Sequence, residues 1–194
     1  MRATKVIPIL FALSALLSGA RAQNIYGGNP ADPDLLESAF SNPALNSFVK
    51  DRVACALTTY HVGVAGGFFN VKSGFVSYSF PWMVRGLGVG VQFLNAGMYS
   101  QNTVRFSYGR AVLPPLAVGA NFDVFSRSFD RSKFVQFDDR DPVFRNGDSK
   151  MGISLGFGVA FRASRSLTIG VSFEHLNRPD LAMGSTPFHQ PMMF

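Results

Sequence analysis

The sequence predicts an all-β protein whose antiparallel strands form a transmembrane β-barrel, and three observations carry that prediction. Bulky apolar residues alternate with small ones at a period of two in segment after segment. The second face of these segments is mostly Gly, Ser and Ala, whereas the wet face of a soluble sandwich is usually rich in Lys, Glu and Thr. Only 15% of the residues are charged, against about 25% in soluble chains. Yet after Leu17 no apolar run approaches the roughly 18 residues a spanning helix needs.

The N-terminus reads as a secretory signal peptide over residues 1–22. Arg2 and Lys5 form its basic start, and Val6 to Leu17 its apolar stretch, too short to anchor a membrane. Ala20-Arg21-Ala22 places small residues where a signal peptidase reads, with cleavage before Gln23. No cysteine stands at that point, which argues against a lipoprotein. Removing Arg2, Lys5 and Arg21 leaves 18 − 3 = 15 basic residues beside 12 acidic ones. The basic excess therefore comes partly from the leader, and basic residues are not clustered as a nucleic-acid face requires. Cys55 is the single cysteine, so an internal disulfide framework is excluded. It reads as a small apolar residue on a strand.

Residues 23–46 read as a periplasmic segment. Asp32 to Phe40 has the acidic first turn of a short helix, and Asn42-Pro43-Ala44 leads from it into the first strand. Residues 47–194 read as strands. The clearest sets Leu87, Val89, Val91 and Phe93 against Gly86, Gly88, Gly90 and Gln92. The next sets Leu116, Val118, Ala120, Phe122 and Val124 against Ala117, Gly119, Asn121 and Asp123. Met151, Ile153, Leu155, Phe157, Val159 and Phe161 oppose Gly152, Ser154, Gly156, Gly158, Ala160 and Arg162. Leu167, Ile169, Val171 and Phe173 oppose Thr168, Gly170, Ser172 and Glu174. Weaker alternation over Val53–Tyr60, Gly74–Phe80 and Thr103–Ala111 brings the total to seven. Small residues suit the crowded inside of a barrel while the bulky face meets lipid. Ten residues at about 3.3 Å each, tilted by about 40°, rise about 25 Å, the height of an outer-membrane apolar band.

The connections alternate in length. Pro81–Arg85, Leu113–Pro115 and Ala163–Arg165 are short turns suited to the periplasmic rim. His61–Ser73, Asn95–Asn102, Arg127–Lys150 and the tail from Leu176 are longer and would face outside. Arg127–Lys150 collects charge away from lipid, as the membrane demands.

Candidate chemistry is sparse. Gly152-Ile153-Ser154-Leu155-Gly156 has the G-x-S-x-G pattern of serine hydrolases, but that mechanism needs a strand-to-helix turn, and Ser154 lies in unbroken alternation. His61, His175 and His189 lack metal-ligand spacing. Asp138, Asp139, Asp141 and Asp148 lack the order of a calcium loop. Gly86 to Gly90 is a strand face without the following helix that a phosphate cradle needs. The expectation is therefore no catalytic, metal or cofactor site, and no enzyme. Arg105, Asp123, Arg162 and Glu174 project into the predicted lumen, as interior ion pairs or as the lining of a solute path.

Two stretches resemble known families. Ala39-Phe40-Ser41-Asn42-Pro43-Ala44 resembles the "NPA" entrance of the FadL-like superfamily, which includes PorV-type proteins. Asp139-Arg140-Asp141-Pro142-Val143-Phe144, followed by the Gly-rich strand and Gly170 to Pro179, is similar to PorP/SprF proteins, outer-membrane components associated with type IX secretion and gliding. The run G-V-S-x-x-H-L-x-x-P is the more specific match. Asn42, Pro43, Asp141, Pro142, His175, Leu176 and Pro179 are the family-like positions.

That resemblance implies a non-enzymatic component of a secretion assembly in the outer membrane. Its partners would be outer-membrane lipid and other secretion proteins, with no nucleic acid and no cofactor. The alternative is a FadL-like channel for hydrophobic or small solutes. Family barrels are longer, and an odd strand count does not close a regular bacterial barrel. Pro187 and Pro191 argue against a closing strand near Phe194. The seven strands thus read as the N-terminal part of a larger barrel.

Overall fold

A computed structural model describes residues 30–32, 34, 38–61, 70–82, 85–133, 147–164, 167–182 and 189–193. Residues 1–29, which include the expected leader at 1–22, and residues 134–146, which hold Asp141 and Pro142, lie outside that description.

Among the described residues, seven antiparallel strands form one sheet in sequence order, curled as a half-barrel. They are β1 (Arg52–His61), β2 (Asn70–Trp82), β3 (Arg85–Asn95), β4 (Tyr99–Leu113), β5 (Leu116–Phe129), β6 (Ser149–Arg162) and β7 (Thr168–Phe173). The seven predicted segments are these seven strands. No described helix is long and apolar enough to cross a membrane. Among the described residues before β1 stand one helical turn, α1 (Ser38–Ser41), and a 3-10 helix, η1 (Pro43–Ser47).

Pairing brings residues of successive strands into rows, and each row has its own chemistry. On the convex face one row runs Val53, Tyr78, Val89, Phe106, Phe122, Leu155. The next toward the long loops runs Cys55, Val76, Val91, Val104, Val124, Ile153. Exposure of Val53, Leu57, Phe106, Met151 and Ile153 all exceeds 50%, too much apolar surface for water. A wholly polar row of Thr59, Lys72, Asn95, Ser100, Ser128 and Ser149 ends this surface at the long-loop side. From Met151 to Phe161 along β6 the apolar span is about 25 Å after tilt.

The concave face holds what folds onto it. Four glycines of adjacent strands, Gly86, Gly109, Gly119 and Gly158, stand in one row, and η1 lies across them. A β-carbon at Gly86 would stand 1.8 Å from the Asn46 carbonyl oxygen, and one at Gly119 2.4 Å from the Ala44 nitrogen. One row nearer the short turns, Ala117 and Ala160 pack with Ala44 and Leu45, all buried. The glycines are thus the seat of a particular segment, beyond the general crowding of a lumen.

Several boundaries differ from the sequence reading: β2 already begins at Asn70 and β4 at Tyr99, so Lys72 and Ser100 pair within strands and not in connections spanning His61–Ser73 and Asn95–Asn102. β5 continues through Phe129 and β6 begins at Ser149, so Arg127 and Lys150 pair within strands and the chain between the two strands runs from 130 to 148. Asp130 there accepts from the Ser132 hydroxyl at 2.6 Å, which holds its carboxyl below the ordinary range. At the other end β7 stops at Phe173, because His175 and Arg178 adopt positive φ of 57° and 43° and turn the chain inward.

Candidate functional site

The N-terminal segment is fixed at both ends of η1 by asparagine. Asn42 has no exposed surface. Its Oδ1 accepts from the Ala44 amide at 3.0 Å as the helix cap. Its Nδ2 donates to the carbonyls of Pro30 at 2.8 Å and Val159 at 3.1 Å. Pro43 follows at the first helical position, where its missing N–H is no loss. At the far end Asn46 Nδ2 donates to Ser107 Oγ at 2.8 Å, and Ser79 Oγ donates to Asn46 Oδ1 at 3.2 Å. Asn42 thus reaches β6 while Asn46 reaches β2 and β4. One turn earlier, the Phe40 ring meets Phe75 edge-on at 5.6 Å.

Above the glycine row sits a buried ion cluster. Arg105 on β4 and Asp123 on β5 are register partners, joined in bidentate fashion with Nε–Oδ1 and Nη2–Oδ2 both 2.6 Å. Arg105 Nη1 donates to Glu174 Oε1 at 2.9 Å and to the Phe40 carbonyl. All three charged side chains are less than 10% exposed. One arginine therefore ties β4, β5, the end of β7 and α1 together, and its planar fork meets four acceptor atoms of three residues at once. Arg162, predicted to share the lumen with them, stands apart near the short turns with its guanidinium 4.2 Å from the Phe48 ring centre.

The turn after β7 carries the other family-like residues. The Leu176 amide donates to Leu155 O at 2.9 Å. Asn177 Oδ1 accepts from the Leu155 amide and its Nδ2 donates to Ile153 O, so this side chain replaces strand pairing where β7 has ended. The Pro179 carbonyl accepts from Gln190 N, and Glu174 exchanges two backbone bonds with Met193. The tail thereby folds back inside the curve, with Leu181 near Gly152.

Ser154 and His175 come together, which spacing alone did not reveal: Ser154 Oγ lies 2.8 Å from His175 Nδ1. The direction of that bond can be deduced. Arg127 Nη2 donates to Gln190 Oε1, which orients the amide and turns its Nε2 toward His175 Nε2 at 3.3 Å. Gln190 donates there, so the ring proton is on Nδ1 and is donated to Ser154. A nucleophilic serine needs the opposite arrangement, with its own proton given to the ring. Ser154 is also fully buried. The pair is a clip between β6 and the turn. Among the described residues no group of His, Cys, Asp or Glu is arranged to hold a metal ion.

Between the ion cluster and the long-loop rim lies a polar cleft lined by Gln92, Gln101, Thr103, Arg127 and Gln190. Arg127 donates to Gln101 Oε1 and Gln190 Oε1, both at 3.0 Å. The glycine row and this amide network were missed in the sequence, although the strand register, once known, places both.

Comparison with known proteins yields a family match. Neither a curated protein nor a solved structure matches significantly. The model of a family described as type IX secretion system membrane protein PorP/SprF matches residues 53–194, from β1 through the tail. That family carries the association with type IX secretion. The match covers well over half of the 194 residues, and the chain belongs to the PorP/SprF family.

Proposed function

We propose that this protein is a non-enzymatic β-barrel component of a type IX secretion assembly in the outer membrane, exported by cleavage after residue 22. The observation that carries this reading is the convex face. Its outward residues are mostly apolar over about 25 Å, give way to a polar row at the long-loop side, and match the height of an outer-membrane hydrocarbon band. Family membership supplies the secretion role. The described concave face is occupied by η1 and the tail, and Arg105, Asp123 and Glu174 satisfy one another. These features favour an interior filled by protein over the solute path of a FadL-like channel. Residues 23–46 would then enter from the periplasmic side next to the short turns, with Phe40 to Asn46 seated on the concave face.

Deleting the gene tests the proposal. Type IX cargo should remain inside the deletion strain and return to the surface when the full-length gene is restored. Normal cargo export in the deletion strain would overturn it.

A further inference from the structure

Arg85 and Arg110 are direct register partners on β3 and β4. Both side chains are exposed, on the same convex face as Val89, Val91, Phe106 and Tyr108. Like charges directly opposite one another on neighbouring strands oppose pairing. The outward positions of β2, β3, β4 and β5 carry no Asp or Glu that could compensate. Neither arginine has a salt-bridge partner among the described residues.

Their height is equally telling. The row continues through Val118, Val159 and Val171, all apolar. Beyond it toward the short turns comes the apolar row of Leu113, Leu116, Phe161 and Ile169. Two cations thus sit side by side on the apolar surface, about 5 Å inside its edge by strand rise and tilt. Long arginine stems reach that distance to the polar boundary. Adjacent on the other side is the row of Phe80, Leu87 and Tyr108, which would hold acyl chains.

We propose that Arg85 and Arg110 form a clamp for the phosphate of a membrane phospholipid, at the short-turn rim of the barrel. A single phosphate between two guanidinium groups removes their repulsion and accepts paired N–H···O bonds from both forks. The tails of the same lipid would lie along the apolar rows above. This inference rests on the membrane-barrel reading of the convex face.

The test uses the full-length protein folded into phosphatidylglycerol vesicles, extracted in mild detergent and weighed by native mass spectrometry. The wild-type protein should retain a phosphatidylglycerol molecule, while Arg85→Gln/Arg110→Gln should retain it about tenfold less, the effect of losing one charge-assisted contact or more. The single variant Arg110→Glu guards against misfolding, because the new carboxylate pairs with Arg85 in place of the repulsion, so the variant should fold while losing the lipid. Diacylglycerol, with the same tails and no phosphate, should not be retained. Equal lipid retention by wild type and variants would overturn the clamp. So would displacement by millimolar inorganic phosphate, which would mark a simple anion site. Failure of the wild type to insert into vesicles would instead overturn the membrane-barrel reading itself, so the two failures are distinguishable.

Discussion

Ala44 rests directly on Gly119: a β-carbon at residue 119 would stand 2.4 Å from the Ala44 nitrogen and 2.5 Å from the Pro43 carbonyl carbon. Backbone meets backbone there, so neither side yields by changing rotamer. Gly119→Ala should lift η1 from the sheet and cost about 1–3 kcal/mol, the usual range for overpacking. Gly156→Ala provides a contrast, because its β-carbon would meet the Asn121 side chain, which can rotate. Urea unfolding of the full-length protein in vesicles should rank the glycine-row variant as the less stable. The reverse order would mean that η1 is not seated on this row.

Asn42 combines two roles that a pair of variants can separate. Asn42→Asp keeps the oxygen that caps η1 and removes the Nδ2 donor to Pro30 and Val159. Asn42→Ala removes both. A lost cap costs about 0.5–2 kcal/mol, and a buried carbonyl left without its donor about 1–3 kcal/mol. Asn42→Asp should therefore be nearly as harmful as Asn42→Ala in the same unfolding experiment. A silent Asn42→Asp would reduce this residue to a helix cap.

The strands were legible because a period of two survives in any half-apolar sheet, and Gly86 to Phe93 displays it residue by residue. Small residues at Gly86, Gly119 and Gly158 identified the inward face, but alternation cannot say what covers a face. That needed the register, which aligns three separate segments with Gly109, and the fold of Asn42 to Asn46 onto them. Charge counting placed Arg127 and Lys150 in a loop, because a polar residue on an inward strand position looks the same in sequence. The meeting of Arg105, Asp123 and Glu174 rests on a register match and on the inward turn at His175, neither of which is written in local spacing. Arg162 shares their parity and lies too near the short turns to join them.

Arg105 is the only cation in contact with Asp123 and Glu174 among the described ion pairs. Arg105→Met would leave two carboxylates buried beside apolar atoms, and breaking such a cluster at one member costs about 3–5 kcal/mol. The triple variant Arg105→Met/Asp123→Asn/Glu174→Gln keeps the shape and removes every charge. It should recover much of the loss, because the penalty lies in uncompensated charge more than in the missing bonds. Equal instability of the single and triple variants would show that the three groups matter by packing alone. If the cluster lined a conduction path, the triple variant would also change current across a planar bilayer, and a silent barrel in both forms is the expected result.

Ser154→Ala separates a structural clip from a hydrolytic centre. Donation from His175 Nδ1 to Ser154 Oγ, with Gln190 held by Arg127 on the other side of the ring, makes the serine an acceptor within a buried bridge. Its removal leaves the His175 Nδ1–H without an acceptor and should cost about 1–3 kcal/mol, the penalty for an orphaned buried donor. Cargo export by a strain carrying Ser154→Ala should equal that of the wild type, and the purified variant should match the wild type in esterase assays with short acyl esters. Gln190→Ala discriminates further. It removes the donor that fixes the ring tautomer and loosens the tail, so limited proteolysis should cut the tail faster in Gln190→Ala than in Ser154→Ala. Loss of an esterase activity in Ser154→Ala with unchanged stability would reverse the assignment and make G-x-S-x-G a functional motif.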